Sequence, residues 1–349
     1  QTPMRESSPF DINSIPEPEC LRDTAMQLIS LPNITSKRWI SEQYDSMIGN
    51  ANIGINHPAS AAIMNLKDSH RALTLTVTGN PLYASANPDE AAIISVVQAA
   101  RNTVCTGASP IALSFDPPWA TPSIPETKED SCSFTQGIRL ACDKLEIPIA
   151  IKESTPKLYD TKSSQATSTS IGMLGIIKNK NNCLSIAFKE KGHMIYLIGK
   201  SYNNISSSVY LASLIGVSIS PAPPFDLETE RKLLKKMAEL APRNIIASAN
   251  NVSTGGLFTA LIECGIPNCM GFDITTDAEI RTDAFLFGES QGRIVVSVPT
   301  PKEADFIDFM MDNGVPITTL GHVTKSEVRV DDVSFGFMTD IKTIFEKRI

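Results

Sequence analysis

Residues 154–170 interrupt the chain with serine, threonine and lysine and almost no apolar side chains, and on both sides strands and helices alternate without a regular βαβ repeat. That pattern points to two α+β domains with mixed sheets, restarting after the polar stretch. A length of 349 residues agrees with about two domains.

Within the first half, Ala61–Leu66 and Ala72–Thr78 are short runs with β-branched residues separated by a polar turn, which is a hairpin pattern. Asn87 is placed to cap a helix that opens with Pro88, Asp89 and Glu90, buries Ile93, Val96, Val97, Ala100 and Val104, and stops at Gly107. Residues 111–115 and 147–151 read as strands and residues 133–145 as a helix. Ahead of these, residues 1 to about 17 read as an extended linker, followed by a helix from Glu19 to Leu31 that Pro32 stops. In the second half, residues 171–177, 193–199, 245–249 and 293–298 read as strands. Asp226 caps an amphipathic helix, a turn over 250–256 opens another, and Thr300, Pro301 and Glu303 form a capping box before a helix that faces Phe306, Phe309 and Met310 inward.

Composition narrows the function classes. Hydrophobic residues make up 42% of the chain and charged residues 20%, enough for more than one core. A net charge of -7 without a basic stripe argues against nucleic acid as a partner. No apolar run is long enough to span a membrane, and the polar start has no apolar signal core. A start at Gln1 leads to the expectation of a fragment or a processed product. Seven scattered cysteines and four histidines without ligand spacing suggest reduced thiols, a cytoplasmic location and no zinc site.

Few residues carry chemistry on their own. Gly255-Gly256 lies between a strand and a helix, where backbone amides approach phosphates, although paired glycines at a turn more often serve backbone conformation. Asp116, Lys152 and Glu153 follow strand ends, where open sheets bind ligands, although charged loop residues taken alone are normally just solvated. His57, beside Pro58, reads as a turn residue.

Five stretches in order extend this reading: Trp39–Met47 (WISEQYDSM), Ala99–Gly107 (AARNTVCTG), Ile171–Gly175 (IGMLG), Val252–Leu257 (VSTGGL) and Phe287–Ser297 (FGESQGRIVVS). Together they resemble the C-terminal half of phosphoribosylformylglycinamidine synthase, within the AIR synthase-related superfamily, over nearly the whole chain. The resemblance implies a two-domain α+β AIR synthase-like fold. Its N-terminal α/β domain has a sheet that pairs in a dimer or pseudo-dimer, and its C-terminal α+β domain has a mixed sheet flanked by helices. On this basis residues 1–36 are a linker and lead-in helix, 37–165 the N-terminal-type domain and 166–349 the C-terminal-type domain. The family reaction uses ATP and magnesium to activate the formyl amide oxygen of formylglycinamide ribonucleotide (FGAR), and ammonia from a glutaminase then gives the amidine, FGAM. The half bearing the family's catalytic histidine is absent here, so no catalytic residue is assigned.

Departures from the family pattern fall on its polar ligands. Ser60, Thr78 and Asn87 stand where the family has aspartates, and Gln98 where it has a glutamate. Asn250, Asn251 and Thr254 replace a histidine and two aspartates, while the loops at 115–122 and 151–155 differ throughout. Magnesium prefers carboxylate and water oxygens, so these losses weaken a metal–nucleotide site. The remaining nucleotide- or substrate-binding candidates are Asn80, Asp116, Lys152, Glu153, Thr155, Ser253, Gly255 and Gly256, with Glu153 as the candidate metal ligand. The expectation is a structural or regulatory homologue, inactive alone, that exposes an apolar sheet face and forms a homodimer or pairs with an N-terminal synthase half. A glutaminase subunit is a further partner implied by the resemblance. The alternatives are a half-enzyme completed by that N-terminal half, and a module that binds ATP or ADP without turnover.

Overall fold

A computed structural model describes residues 10–41, 43, 58–116, 125–150 and 170–347. Two short helices lead in, α1 (Leu21–Ile29) and α2 (Arg38–Ser41). The first domain has strands β1 (Ala62–Asn65), β2 (Ala72–Thr78), β3 (Ser109–Asp116) and β4 (Ser170–Ile177), with helices α3 (Pro81–Ala86), α4 (Pro88–Val104) and α5 (Pro125–Leu145). Its strands form an antiparallel sheet in the order β1-β2-β4-β3. β4, which the sequence reading gives to the second domain, therefore closes the first: seven consecutive residues of β2 pair with it from Ala72↔Ile177 to Thr78↔Ile171. The predicted strand at 147–151 is reduced to a parallel bridge between Leu113 and Ile149 on the far side of β3.

Helix α4 lies against this sheet. Asn87 caps it as expected, accepting from the amides of Asp89 (3.1 Å) and Glu90 (3.4 Å). Alanines at 91, 92, 99 and 100 keep its surface low, and a Cβ at Gly137 of α5 would fall 2.4 Å from the Asp89 carbonyl. The two helices thus pack at a distance that only small residues permit.

The second domain holds a seven-stranded mixed sheet in the order β11-β10-β7-β9-β5-β8-β6. Its strands are β5 (Met194–Ile198), β6 (Ser248–Asn251), β7 (Phe272–Ile274), β8 (Ile294–Val298), β9 (Ile317–Val323), β10 (Glu327–Val330) and β11 (Val333–Phe337). The β10–β7 pair is parallel and the others antiparallel. Helices α6 (Leu227–Leu240), α7 (Gly256–Gly265), α8 (Thr282–Phe287), α9 (Glu303–Asp312) and α10 (Met338–Phe345) accompany it, with a π-helical turn at Tyr210–Ile215.

Both faces of β5 and β8 are covered, which is why these strands read as unbroken apolar runs. Ile195, Leu197 and Val295 pack with α7, α8 and α10, while Tyr196, Ile198, Val296 and Val298 share a core with Val96 and Ala100 of α4, Leu233 and Met237 of α6, and Phe306 of α9. The second of these cores joins the two domains.

Three local expectations are corrected. The strand placed at 245–249 runs over Ser248–Asn251, so Asn250 and Asn251 belong to the ladder with β8 and not to the following turn. Thr300 caps no helix; its hydroxyl donates to the Gly192 carbonyl and a 3-10 turn at Thr300–Lys302 precedes α9. The lead-in is docked rather than a free connector: Ala25, Leu28 and Ile29 are fully buried against the second domain, and the Arg281 guanidinium donates to the carbonyls of Ile12 (2.6 Å) and Ile15 (2.8 Å).

Candidate functional site

The end of β6, the start of β8, the last turns of α4 and the start of α7 meet where the domains join, and there apolar packing gives way to a buried polar network. Arg101 of α4 is fully buried. Its Nη1 pairs with Glu230 of α6, its Nε donates to Asn251 Oδ1 (2.8 Å) and its Nη2 to Gln291 Oε1 (2.6 Å). Asn251 in turn donates to Asn102 (2.8 Å), and Asn102 to the Thr76 hydroxyl of β2 (3.1 Å). A buried guanidinium needs a counter-charge and hydrogen-bond partners, and this network supplies the charge and one partner for each of the three nitrogens.

Gln291 also donates to the backbone carbonyl of Glu289 (2.8 Å), which leads to the Gly255-Gly256 turn. Glu289 Oε1 accepts from the amides of Gly255 and Val209, each at 2.9 Å, and Oε2 accepts from the Tyr83 hydroxyl at 2.6 Å. Burial raises the Glu289 carboxyl above its ordinary range, against the pull of these three donors. Burial, and then the adjacent carboxylate, raise the Tyr83 phenol well above its own. Arg293 is fully buried and donates to the carbonyls of Ser290 (3.0 Å) and Gly288 (2.6 Å); burial, with Arg101 nearby, lowers it to about 10.

Both glycines of the turn have backbone reasons to be there. Gly255 and Gly256 have φ of +79° and +72°, and a Cβ at Gly256 would sit 2.7 Å from the Leu286 carbonyl. The Gly256 amide donates to the Ser253 carbonyl (2.9 Å). Both amides of the turn thus bond to the chain's own groups, and both glycines have the positive φ that favours glycine.

Asn80 accepts from the amides of Leu82 (2.9 Å) and Tyr83 (3.4 Å) at the start of α3, so its oxygen is engaged as a cap. Asn80 and the Gly255 turn are nevertheless linked, through Tyr83 and Glu289. Asp116 ends β3 opposite Ser170. Lys152, Glu153 and Thr155 lie outside the described residues. Among the described residues, no group of three or more His, Cys, Asp or Glu side chains could hold a metal ion.

Four of the neutral residues that the resemblance sets at polar family positions, Ser60, Thr78, Asn87 and Asn250, bond within the fold. Ser60 donates to Asn250 (3.0 Å), and Asn250 donates to the Ala260 carbonyl (3.1 Å) and Glu263 (3.0 Å). Thr78 donates to the Ser95 carbonyl (2.9 Å), and Asn87 caps α4. Nearby Cys105 is pushed up to about 12 and Cys264 well above the usual thiol range, both chiefly by burial, so neither is a ready nucleophile.

Comparison with known proteins fits this architecture. Residues 58–177 match the N-terminal domain of AIR synthase related protein and residues 190–333 its C-terminal domain. The chain belongs to the AIR synthase related family. Within the family it is 32% identical, over 327 residues, to phosphoribosylformylglycinamidine synthase subunit PurL of Alkaliphilus metalliredigens, covering 94% of this chain and 44% of that protein. It thus spans less than half the length of this relative. PurL of Thermotoga maritima complexed with FGAR has the same fold, with a TM-score of 0.75 at 14% identity, covering 95% of this chain and 55% of that one. The T. maritima PurL structure complexed with ATP gives 0.72 at 15% identity, covering 95% and 54%.

Tyr83, Arg101, Glu230, Glu289 and Gln291 were not among the residues singled out from sequence. Arg101, Glu289 and Gln291 lie inside two of the quoted family stretches, which is the signal that marks them; Tyr83 and Glu230 carry none.

Proposed function

We propose that this chain is a C-terminal-half unit of the phosphoribosylformylglycinamidine synthase type, in the cytoplasm, that does not catalyse FGAM formation alone and acts by pairing its first-domain sheet with a second sheet of the same kind. The observation that carries this reading is the face of that sheet turned away from α4. Ala62 and Met64 of β1 lie opposite Leu75 and Leu73 of β2, and these opposite Leu174 and Ile176 of β4. Met64, Leu75 and Val77 are 47%, 46% and 65% exposed, whereas Thr74, Thr76 and Thr78 of the same strand are buried. An exposed apolar face above an inward threonine row is the reverse of a solvated sheet, and a contiguous patch of this kind is a protein contact surface.

The inward bonding of Ser60, Thr78, Asn250 and Asn251 supports the non-catalytic part, because neutral side chains satisfied within the fold supply no carboxylate for magnesium. Sedimentation of the purified chain tests the pairing: a dimer at micromolar concentration is expected, and a strict monomer, alone and with an N-terminal synthase half, overturns it.

A second reading has the chain complete an ATP-dependent synthase with an N-terminal half and a glutaminase. Its support is that the curated relative is a synthase subunit and that T. maritima PurL has been solved with ATP. Saturable heat on titration with ATP and magnesium, together with FGAM formation on mixing with that half, favours this second reading.

A further inference from the structure

The start of α7 carries the paired glycines whose pattern also suits a phosphate, and in the fold the Glu289 carboxylate bonds the Gly255 amide there. One oxygen of Glu289 takes N–H bonds from two helix starts at once, Gly255 before α7 and Val209 before the π-helical turn, both at 2.9 Å. The start of α7 carries partial positive charge, and the Val209 amide adds a second donor to the same oxygen, as donors converge on an anionic ligand. The other oxygen faces the first domain and is held by the Tyr83 hydroxyl at 2.6 Å. Glu289 is 1% exposed, and a Cβ on Gly255 would be 2.4 Å from Thr259 Oγ1.

We propose that Glu289 is a built-in anion, filling the cradle at the start of α7 in place of a ligand's phosphate and using it to tie the first domain to the second. The Gly255-Gly256 turn of this chain then takes no phosphate group, from a nucleotide or any other source. This inference does not depend on the sheet pairing proposed above, since it concerns the opposite side of the first domain's helices and makes no demand on oligomeric state.

The test is chemical rescue on the full chain. Glu289→Ala leaves two convergent amides and a phenol without their acceptor, and its melting temperature should fall by about 5 °C or more. Formate, compared with chloride at equal ionic strength, should restore part of that loss while leaving the wild type and Glu289→Gln unmoved. A folded alanine variant that formate does not stabilise, or one as stable as the wild type, overturns the proposal. Hydrogen exchange at the Gly255 and Val209 amides gives an answer even if the alanine variant does not fold. Protection in the wild type that inorganic phosphate leaves unchanged supports the built-in anion, and phosphate-dependent protection at those two amides overturns it.

Discussion

The Tyr83 hydroxyl and the Glu289 carboxylate meet at 2.6 Å across the junction of the two domains, 206 residues apart in sequence. Both groups are buried, so this bond is made in a low-dielectric setting where an unpaired acceptor is expensive. It follows that the helices of the first domain and the α7 turn of the second are held as one unit by polar contacts as well as by their shared core.

Tyr83→Phe removes that donor and keeps the ring. The Glu289 oxygen it served is left buried without another hydrogen bond among the described residues, so the substitution should cost about 1–3 kcal/mol. A urea unfolding curve with a lower midpoint and an unchanged slope is the expected result; an unchanged midpoint would show that water replaces the hydroxyl.

Arg101 offers a larger effect. Glu230→Ala removes the counter-ion of a fully buried guanidinium and should cost about 3–5 kcal/mol. Because Asn251 Oδ1 already lies 2.8 Å from Arg101 Nε, adding Asn251→Asp to that variant brings a carboxylate to the same guanidinium and should recover part of the loss. A double-mutant cycle in which the two changes simply add would refute this coupling.

These two sites also show what the sequence could and could not disclose. Asn87 with Pro88, Asp89 and Glu90 is a local signal, complete within four residues, and the cap is where it was read. The β4 segment was recognisable as a strand, but an apolar run does not name its partner, and its ladder with β2 lies across about 100 residues of chain that no local pattern spans. Strand β10 and the edge strand β11 are short and half-polar, so their periodicity is weak. The Glu289 cradle needs residues 83, 209, 255 and 289 brought together, and each of them alone is unremarkable. Gly255-Gly256 was legible as a turn between a strand and a helix, whereas the carboxylate that bonds the Gly255 amide comes from 34 residues further along the chain.

Stability should depend on pH through Glu263. Burial raises its carboxyl above the ordinary range, and the hydrogen bond from Asn250 opposes this only in part. The folded state therefore binds this proton more tightly than the unfolded state. The group's contribution is fully present below the unfolded value of about 4.3 and is lost as pH rises through the higher folded value. Glu289 shifts in the same direction, so the comparison needs a variant. Glu263→Gln should remove this part of the pH slope, so that its stability relative to wild type improves as pH rises from the acid side towards neutrality. A constant difference across the range would show that Glu263 does not titrate on unfolding.

The exposed sheet face allows assembly and folding to be separated. Val77 is 65% exposed and sits on the same face as Leu75, on a strand whose inward side is held by Thr74, Thr76 and Thr78. Replacing it with lysine puts a charge on the outer face without touching that inward row. Val77→Lys should change the stability of the isolated chain by no more than about 0.5 kcal/mol, as expected at a surface position. Burying an unpaired ammonium between two apolar sheets is far more costly, several kcal/mol per ion, so self-association should weaken by at least tenfold. Leu140 of α5, 56% exposed on the helical side, provides the control: Leu140→Lys should leave association unchanged. If both lysine variants associate like the wild type, the sheet face is not the contact surface; if both lose association, the contact extends over the helices as well. Loss at Val77 alone ties assembly to the face that Met64, Leu73 and Leu75 share with it.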